Sequence, residues 1–290
     1  MPTLRAECKR AYIIAHKENV DQLRSALELD GFDVEEMRGP YTAKQSRYSL
    51  QMRCLVNHAN AWRTIATGAE PVVVTEADFV PVCGFGQLPL PFPYTGDPDD
   101  AKFGWLYSGG SILYGFDSHG FPHGHGNTTV AYVLTPSAAQ RLLAFFEREI
   151  VADVSGGYRM WETYIGIFMR REVGVLNHIP IYQYGEHGGI PNPEHGAAGI
   201  RNWHQADILW SRLAFLPAYA GGRKLRFRAI RFRGWARGIA RLLTLRYFDP
   251  RFVNADSSRG RYVMASLAIS RMLHIAQLHV RAIRESVKAR

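Results

Sequence analysis

Two carboxylates, Glu76 and Asp78, close the run Pro71-Val-Val-Val-Thr, the strongest strand signal in the chain. On an extended backbone, residues two apart point the same way, so this pair can share one cation or an anionic ligand that carries a metal. Hard carboxylate oxygens suit Mg2+ or Mn2+. Carboxylates that only cap a neighbouring helix are the plainer alternative. Histidines gather in two later loops, Ser118-His119-Gly-Phe-Pro-His123-Gly-His125-Gly and Tyr184-Gly-Glu186-His187 onward to His195. Each can supply imidazole ligands or stay in solvent. His58, in a helical stretch, either faces a ligand or fills the core. The signatures G-x-x-x-x-G-K-[ST], G-x-S-x-G and H-E-x-x-H do not occur, so P-loop NTPase, α/β-hydrolase and zincin chemistries lack their motifs.

The elements that must position these residues follow from hydrophobic period. Residues 10–14 read as a buried strand, followed by a helix with apolar positions Val20, Leu23, Leu27 and Leu29 that ends at Gly31. Phe32–Met37 reads as a second strand, and Gly39-Pro40 as a turn. A helix over Ser49–Thr67 then carries Leu50, Leu55 and Trp62, and Gly68 closes it. With the strand at 71–75, the order β-α-β-α-β implies a parallel sheet with helices on its faces. Residues 81–126 are rich in Pro, Gly, Tyr and His and read mostly as long loops, with one strand at 103–107. Thr129–Leu134 reads as a strand, 137–150 as a helix after Thr135-Pro136, 158–170 as a helix and 173–184 as containing a strand; a Gly/His/Pro loop follows to 199. The expected class is α/β, with a central mostly parallel sheet.

The chain has 290 residues, 47% of them hydrophobic and 12% aromatic, which excludes a disordered or collagen-like protein. Cys8, Cys54 and Cys83 are odd in number, widely spaced and form no C-x-x-C pair, which argues for a reducing compartment and against a structural zinc site. Charges at Arg5, Glu7, Lys9 and Arg10 argue against a secretory leader, and no apolar run is long enough to cross a membrane. The net charge of +9 is unevenly placed: residues 1–220 hold 18 Lys and Arg against 23 Asp and Glu, whereas residues 221–290 hold 17 against 3. Two regions are therefore expected, a mildly acidic body over 1–220 and a basic helical extension over 221–290.

The segment Leu50-Gln-Met-Arg-Cys-Leu-Val-Asn57-His58-Ala-Asn-Ala-Trp62, with Pro71-Val-Val-Val-Thr-Glu76-Ala77-Asp78-Phe-Val80, resembles glycosyltransferase family 25, the lipopolysaccharide-biosynthesis glycosyltransferases. The family shows Ser-His on a helix with an aromatic residue four positions later, and then a strand ending in Glu-Asp-Asp-Val. Residues 10–16 resemble its opening strand, and Ala131-Tyr-Val-Leu-Thr-Pro-Ser-Ala-Ala-Gln140 a later strand and helix. The similarity spans roughly residues 10–200 through short motifs. Asn57 replaces the usual Ser, and Ala77 replaces the first Asp. The resemblance implies a GT-A-like nucleotide-sugar fold and transfer of a hexose from a nucleotide-sugar donor to a glycan or lipid-linked acceptor, with inversion. It implies donor contacts from His58, Glu76 and Asp78. It also implies Mn2+ or Mg2+ held by Asp78, Glu76 and, by analogy with a late His in GT-A enzymes, His187, with His195 next. Glu162 is the implied base, although a Glu at a helix start also simply favours the dipole. Ala77 leaves open a non-catalytic carbohydrate- or nucleotide-binding protein on the same scaffold.

Between Gly221 and Arg246 lie nine Lys and Arg and no acid. Leu225, Ala229, Phe232, Ala236, Ile239 and Leu243, spaced four and three apart, form one helical face beside Trp235. Such a helix suits an anionic membrane surface, with Arg226, Arg228, Arg231, Arg233, Trp235 and Arg237 as contacts. A peripheral position at the cytoplasmic face of a membrane is expected, and a nucleic-acid partner is not, because the recognisable nucleic-acid-binding motifs do not occur. A basic nucleic-acid-binding protein and an ordinary packing helix are the alternatives. A last helix is expected near 262–280.

Overall fold

A computed structural model describes residues 2–107, 112–116, 121–126, 128–150, 165, 176–180, 182–188, 190 and 212–244. The elements run α1 (Leu4–Glu7), β1 (Arg10–Ile14), α2 (Asp21–Leu29), β2 (Asp33–Met37), α3 (Leu50–Ala66), β3 (Val72–Glu76) and β4 (Phe79–Pro81). Then come β5 (Lys102–Trp105), β6 (Ile112–Phe116), β7 (Pro122–His125), β8 (Ala131–Leu134), α4 (Pro136–Phe145), β9 (Leu176–His178), β10 (Gly185–His187) and α5 (Lys224–Leu243).

Eight strands form one sheet in the order β2-β1-β3-β8-β5-β9-β7-β6. β1 is parallel to both β2 and β3, and β5 is parallel to β9, while β8 runs against β3 and β5 and β7 runs against β9 and β6. The molecule is thus mixed α/β, and its central sheet is mostly parallel in strand direction: all its strands but β7 and β8 run the same way, although four of the seven pairings are antiparallel. Period-two alternation sorts side chains between two cores. Tyr12, Ile14, Val72, Val74, Tyr132 and Leu134 join α3 and α4 on one face. Ala11, Ile13, Val73, Ala131 and Val133 join Leu4, Leu23 and Leu27 on the other.

α3 starts where the Ser49 hydroxyl accepts from the Met52 backbone N–H at 3.2 Å, and α4 follows Thr135, whose side chain caps it, with Pro136 in its first turn. α3 buries Met52, Leu55, Val56, Trp62 and Ile65. Leu50 instead stays 52% exposed and Leu29 88% exposed, because each ends up at a helix terminus clear of the sheet.

Residues 81–126, expected mostly as loop with one strand at 103–107, contribute β5 over that strand and β6 and β7 besides, and the loop expected from 185 begins with β10, which pairs antiparallel with β4. Gly185 permits that pairing: a Cβ there would lie 2.3 Å from Phe79 Cζ and 2.6 Å from the Val80 carbonyl oxygen. The expected helices at 158–170 and 262–280 lie outside the described residues, apart from Ile165. Among the described residues no helix is long and apolar enough to cross a membrane.

Candidate functional site

From β1 the chain passes outward through α2 to β2 and then returns across β1, through α3, to β3. The carboxyl ends of β1 and β3 therefore flank the point where strand order reverses, which is where open α/β sheets bind ligands. Five hydrogen bonds hold the loops at this point. Asn57 of α3 donates through Nδ2 to the Ala15 carbonyl at 2.8 Å. Arg38 donates to the carbonyls of His16 at 3.2 Å and Glu18 at 2.7 Å, fixing the loop after β1. The Ala77 N–H donates to the Ile14 carbonyl at 2.9 Å, and the Gly188 N–H to the Asp78 carbonyl at 2.9 Å.

Glu76 is held by a chain of buried hydrogen bonds. Trp62 Nε1, which can only donate, bonds the Tyr132 hydroxyl at 2.9 Å. His58 Nε2 lies 3.2 Å from Glu76 Oε1, a carboxylate that only accepts, so the tautomer with its hydrogen on Nε2 fits, and His58 Nδ1 then accepts from the Tyr132 hydroxyl 2.8 Å away. Thr129 Oγ1 donates to the same Glu76 oxygen at 2.5 Å. Burial pushes the Tyr132 phenol well above its ordinary pKa, so it keeps the proton this chain requires. His58 has no exposed surface. It is placed to fix the direction of Glu76.

Asp78 has a different partner. The backbone turns at Ala77-Asp78 between β3 and β4, so the alternation that would aim Glu76 and Asp78 together is broken. Asp78 Oδ2 lies 2.5 Å from His187 Nε2 as an ion pair. β10 delivers His187 because its register places His187 opposite Phe79, the residue after Asp78. His187 is therefore a buried strand residue and not a loop ligand. Burial works against its imidazolium, but Asp78, by charge and hydrogen bond, and then Glu76 and Glu186, by charge, outweigh it and raise the pKa. Glu186 in turn accepts from the Tyr219 hydroxyl and faces Arg231 at 3.7 Å.

The expected cation trio of Glu76, Asp78 and His187 is divided between these two arrangements. His187 turns its Nε2 to Asp78, and among the described residues Glu76, Asp78 and His187 are not gathered as one set of ligand atoms. Cys54, His58 and Glu76 offer one ligand atom each, all within 4.8 Å of one another, and make a possible metal-binding triad. Its thiol and imidazole donors suit zinc better than a hard cation. Ala77, where the resemblance leads one to expect Asp, packs into the apolar cluster with Ile13, Val73 and Phe79, which leaves a carboxylate at that position no water.

A second group near the end of β1 was not singled out from sequence. The Tyr41 hydroxyl is 3.4 Å from His16 Nδ1, and the Arg53 guanidinium lies 6.0 Å from the Tyr41 ring centre. Burial, with the positive charge of Arg53 next, lowers the His16 pKa. Arg53 precedes Cys54 and His58 on α3, a spacing that a helical wheel through the His58 motif could have shown.

Glu162 and His195 lie outside the described residues, as does His119; His123 and His125 fall on β7, with undescribed side chains. Arg226, Arg228 and Arg233 on α5 are exposed, and Trp235 and Arg237 lie on the same helix with undescribed side chains. Arg231 differs from expectation: it turns inward to Glu186 and lies 5.0 Å over the Phe227 ring, because it shares the helix face that packs on the body. No protein-family model matches this chain, and no curated protein matches it.

Proposed function

We propose that the protein is a GT-A-like glycosyltransferase that transfers a hexose from a nucleotide-sugar donor to a glycan or lipid-linked acceptor. The observation that carries this reading is the placing of Glu76 and Asp78 at the carboxyl end of β3, beside the strand-order reversal at β1. The family 25 resemblance of the residues around His58 and Glu76 supports it.

The side chains give each role a physical basis. Glu76, held by His58 and Thr129, is a fixed carboxylate that can accept hydrogen bonds from sugar hydroxyls. Asp78 has His187 beside it, whose raised pKa keeps a proton at the carboxyl end of β3. A departing nucleoside diphosphate needs positive charge, and Arg53 and Lys17 supply groups that can carry it near the loop after β1. No step here runs through a metal.

The test is donor turnover across a panel of nucleotide-sugars, with and without Mn2+, in wild type, Asp78→Asn and Glu76→Gln. Transfer or donor hydrolysis by wild type, cut at least tenfold in both variants, is the expected result. Full activity in Asp78→Asn sinks its role. The protein partners already engaging both carboxylates favour one second reading, a non-catalytic nucleotide-binding protein. Calorimetric binding of a nucleotide-sugar that is never turned over would select it.

A further inference from the structure

The outward face of α5 carries an apolar stripe that the body leaves exposed. Leu225, Phe232 and Leu243 are 79%, 67% and 77% exposed, and Ala229 and Ala236, between them on the same face, are exposed as well. Steps of four, three, four and seven residues keep all five within one narrow sector of the helix. The opposite sector makes the contact with the body. Phe227 packs against Val80, Val82 and Leu213, and Arg231 reaches Glu186 on β10. Exposed basic side chains border the stripe on both sides, Arg226 and Arg233 along one edge and Lys224 and Arg228 along the other.

We infer that this face of α5 docks in the plane of an anionic lipid bilayer, with Leu225, Phe232 and Leu243 entering the boundary between headgroups and acyl chains and the basic edges resting on lipid phosphates. The inference goes beyond the transfer reading and stands without it. Charge complementarity selects an anionic partner. The stripe selects a bilayer over nucleic acid, since a phosphate backbone offers large exposed aliphatic side chains at the centre of a contact nothing to bury against. A second copy fits poorly, because face-to-face pairing through this stripe brings rows of arginine of the same sign together. The depth is interfacial, because α5 is too polar to span a membrane. Arg231 and Phe227 clamp the helix to the β4–β10 pair, so docking would hold the bilayer on the side of the body that carries Glu186 and His187, within reach of an acceptor anchored in lipid.

The test is sedimentation of the full chain with vesicles of equal parts phosphatidylglycerol and phosphatidylcholine, and with phosphatidylcholine alone. Wild type should bind the anionic vesicles and lose binding as salt rises. Leu225→Glu with Phe232→Glu should lower partitioning by about tenfold or more with an unchanged melting temperature, and Arg226→Gln with Arg233→Gln should weaken it on anionic vesicles only. The inference is overturned if wild type does not bind anionic vesicles, or if the Leu225→Glu, Phe232→Glu variant binds them equally well. It is also overturned if that variant has a lower melting temperature or splits a dimer while wild type ignores lipid, since the stripe is then covered by protein. Salt-sensitive binding to DNA or RNA without vesicle binding overturns it in favour of nucleic acid.

Discussion

Replacing Tyr132 by Phe isolates one hydroxyl at the centre of the site. The ring packs between Phe103, at 4.7 Å and 19°, and His58, at 5.7 Å and 27°, and a phenylalanine keeps both contacts. Only the oxygen is lost, and it serves two buried partners, Trp62 Nε1 and His58 Nδ1. Both side chains are fully buried, so water does not replace it. Each stranded group costs about 1–3 kcal/mol, partly offset because Tyr132 itself no longer has to be desolvated, so a net loss of about 2–4 kcal/mol is expected. Urea unfolding should show this as a lower midpoint with an unchanged slope. Trp62→Phe removes one donor and leaves Tyr132 bonded to His58, so it should cost less through this network; its lost ring area adds a separate packing cost that Trp62→Phe in the Tyr132→Phe background measures alone. With the Tyr132 hydroxyl gone, His58 Nδ1 loses its partner, and Glu76 keeps Thr129 but rests on a less firmly held imidazole. Any donor turnover should fall in the same variant. A stability change below about 1 kcal/mol for Tyr132→Phe would refute the chain of hydrogen bonds from Trp62 to Glu76.

The His187 imidazole should titrate above the ordinary value of 6.5, because Asp78, Glu76 and Glu186 outweigh its burial. Its pairing therefore adds stability that is complete below 6.5 and fades as the pH rises through the folded-state value, readable from imidazole NMR shifts; a midpoint below 6.5 contradicts the ion pair with Asp78. Gly185→Ala should destabilise the protein by about 1–3 kcal/mol by forcing β10 off Phe79, and it should lower the His187 midpoint as the pairing with Asp78 loosens. An unfolding midpoint and a His187 titration both equal to wild type would remove the Gly185 argument.

The backbone of the first half was legible because its signals are local. Pro71-Val-Val-Val-Thr is β-branched, and Ser49 with the apolar spacing that follows marks α3, so the strands at 10–14 and 72–76 and the helix at 50–66 lie within a residue or two of expectation. The direction of β8 was not legible. The order β-α-β-α-β settles β1, β2 and β3, but β8 follows a long insertion in which β7, Pro122-His-Gly-His125, carries little β-propensity of its own, whereas β6, Ile112-Leu-Tyr-Gly-Phe116, is strand-like but lies among Gly, His and Pro. Gly185-Glu-His187 likewise reads as loop and is a strand only because β4 lies beside it and Gly185 makes room.

The site was legible as a set of residue types and not as a set of contacts. Glu76, Asp78, His58 and His187 were each chosen for chemistry that the structure puts in one neighbourhood, yet their pairing depends on two events no local pattern carries. One is the turn at Ala77-Asp78, which separates two carboxylates that an extended chain would align. The other is the crossing of α3 over the sheet, which sets Trp62 and His58 against Tyr132, 70 and 74 residues further along the chain. A motif that reads His58 and Trp62 as neighbours on a helix captures half of this arrangement. Tyr132 joins them into a device that aims Glu76, and the family-type segment at 131–140 placed that tyrosine on a strand without assigning it work. The long-range hydrogen bond is what turns two separate sequence signals into one site. That is why the removal of a single oxygen from Tyr132 tests the site more sharply than the removal of either carboxylate.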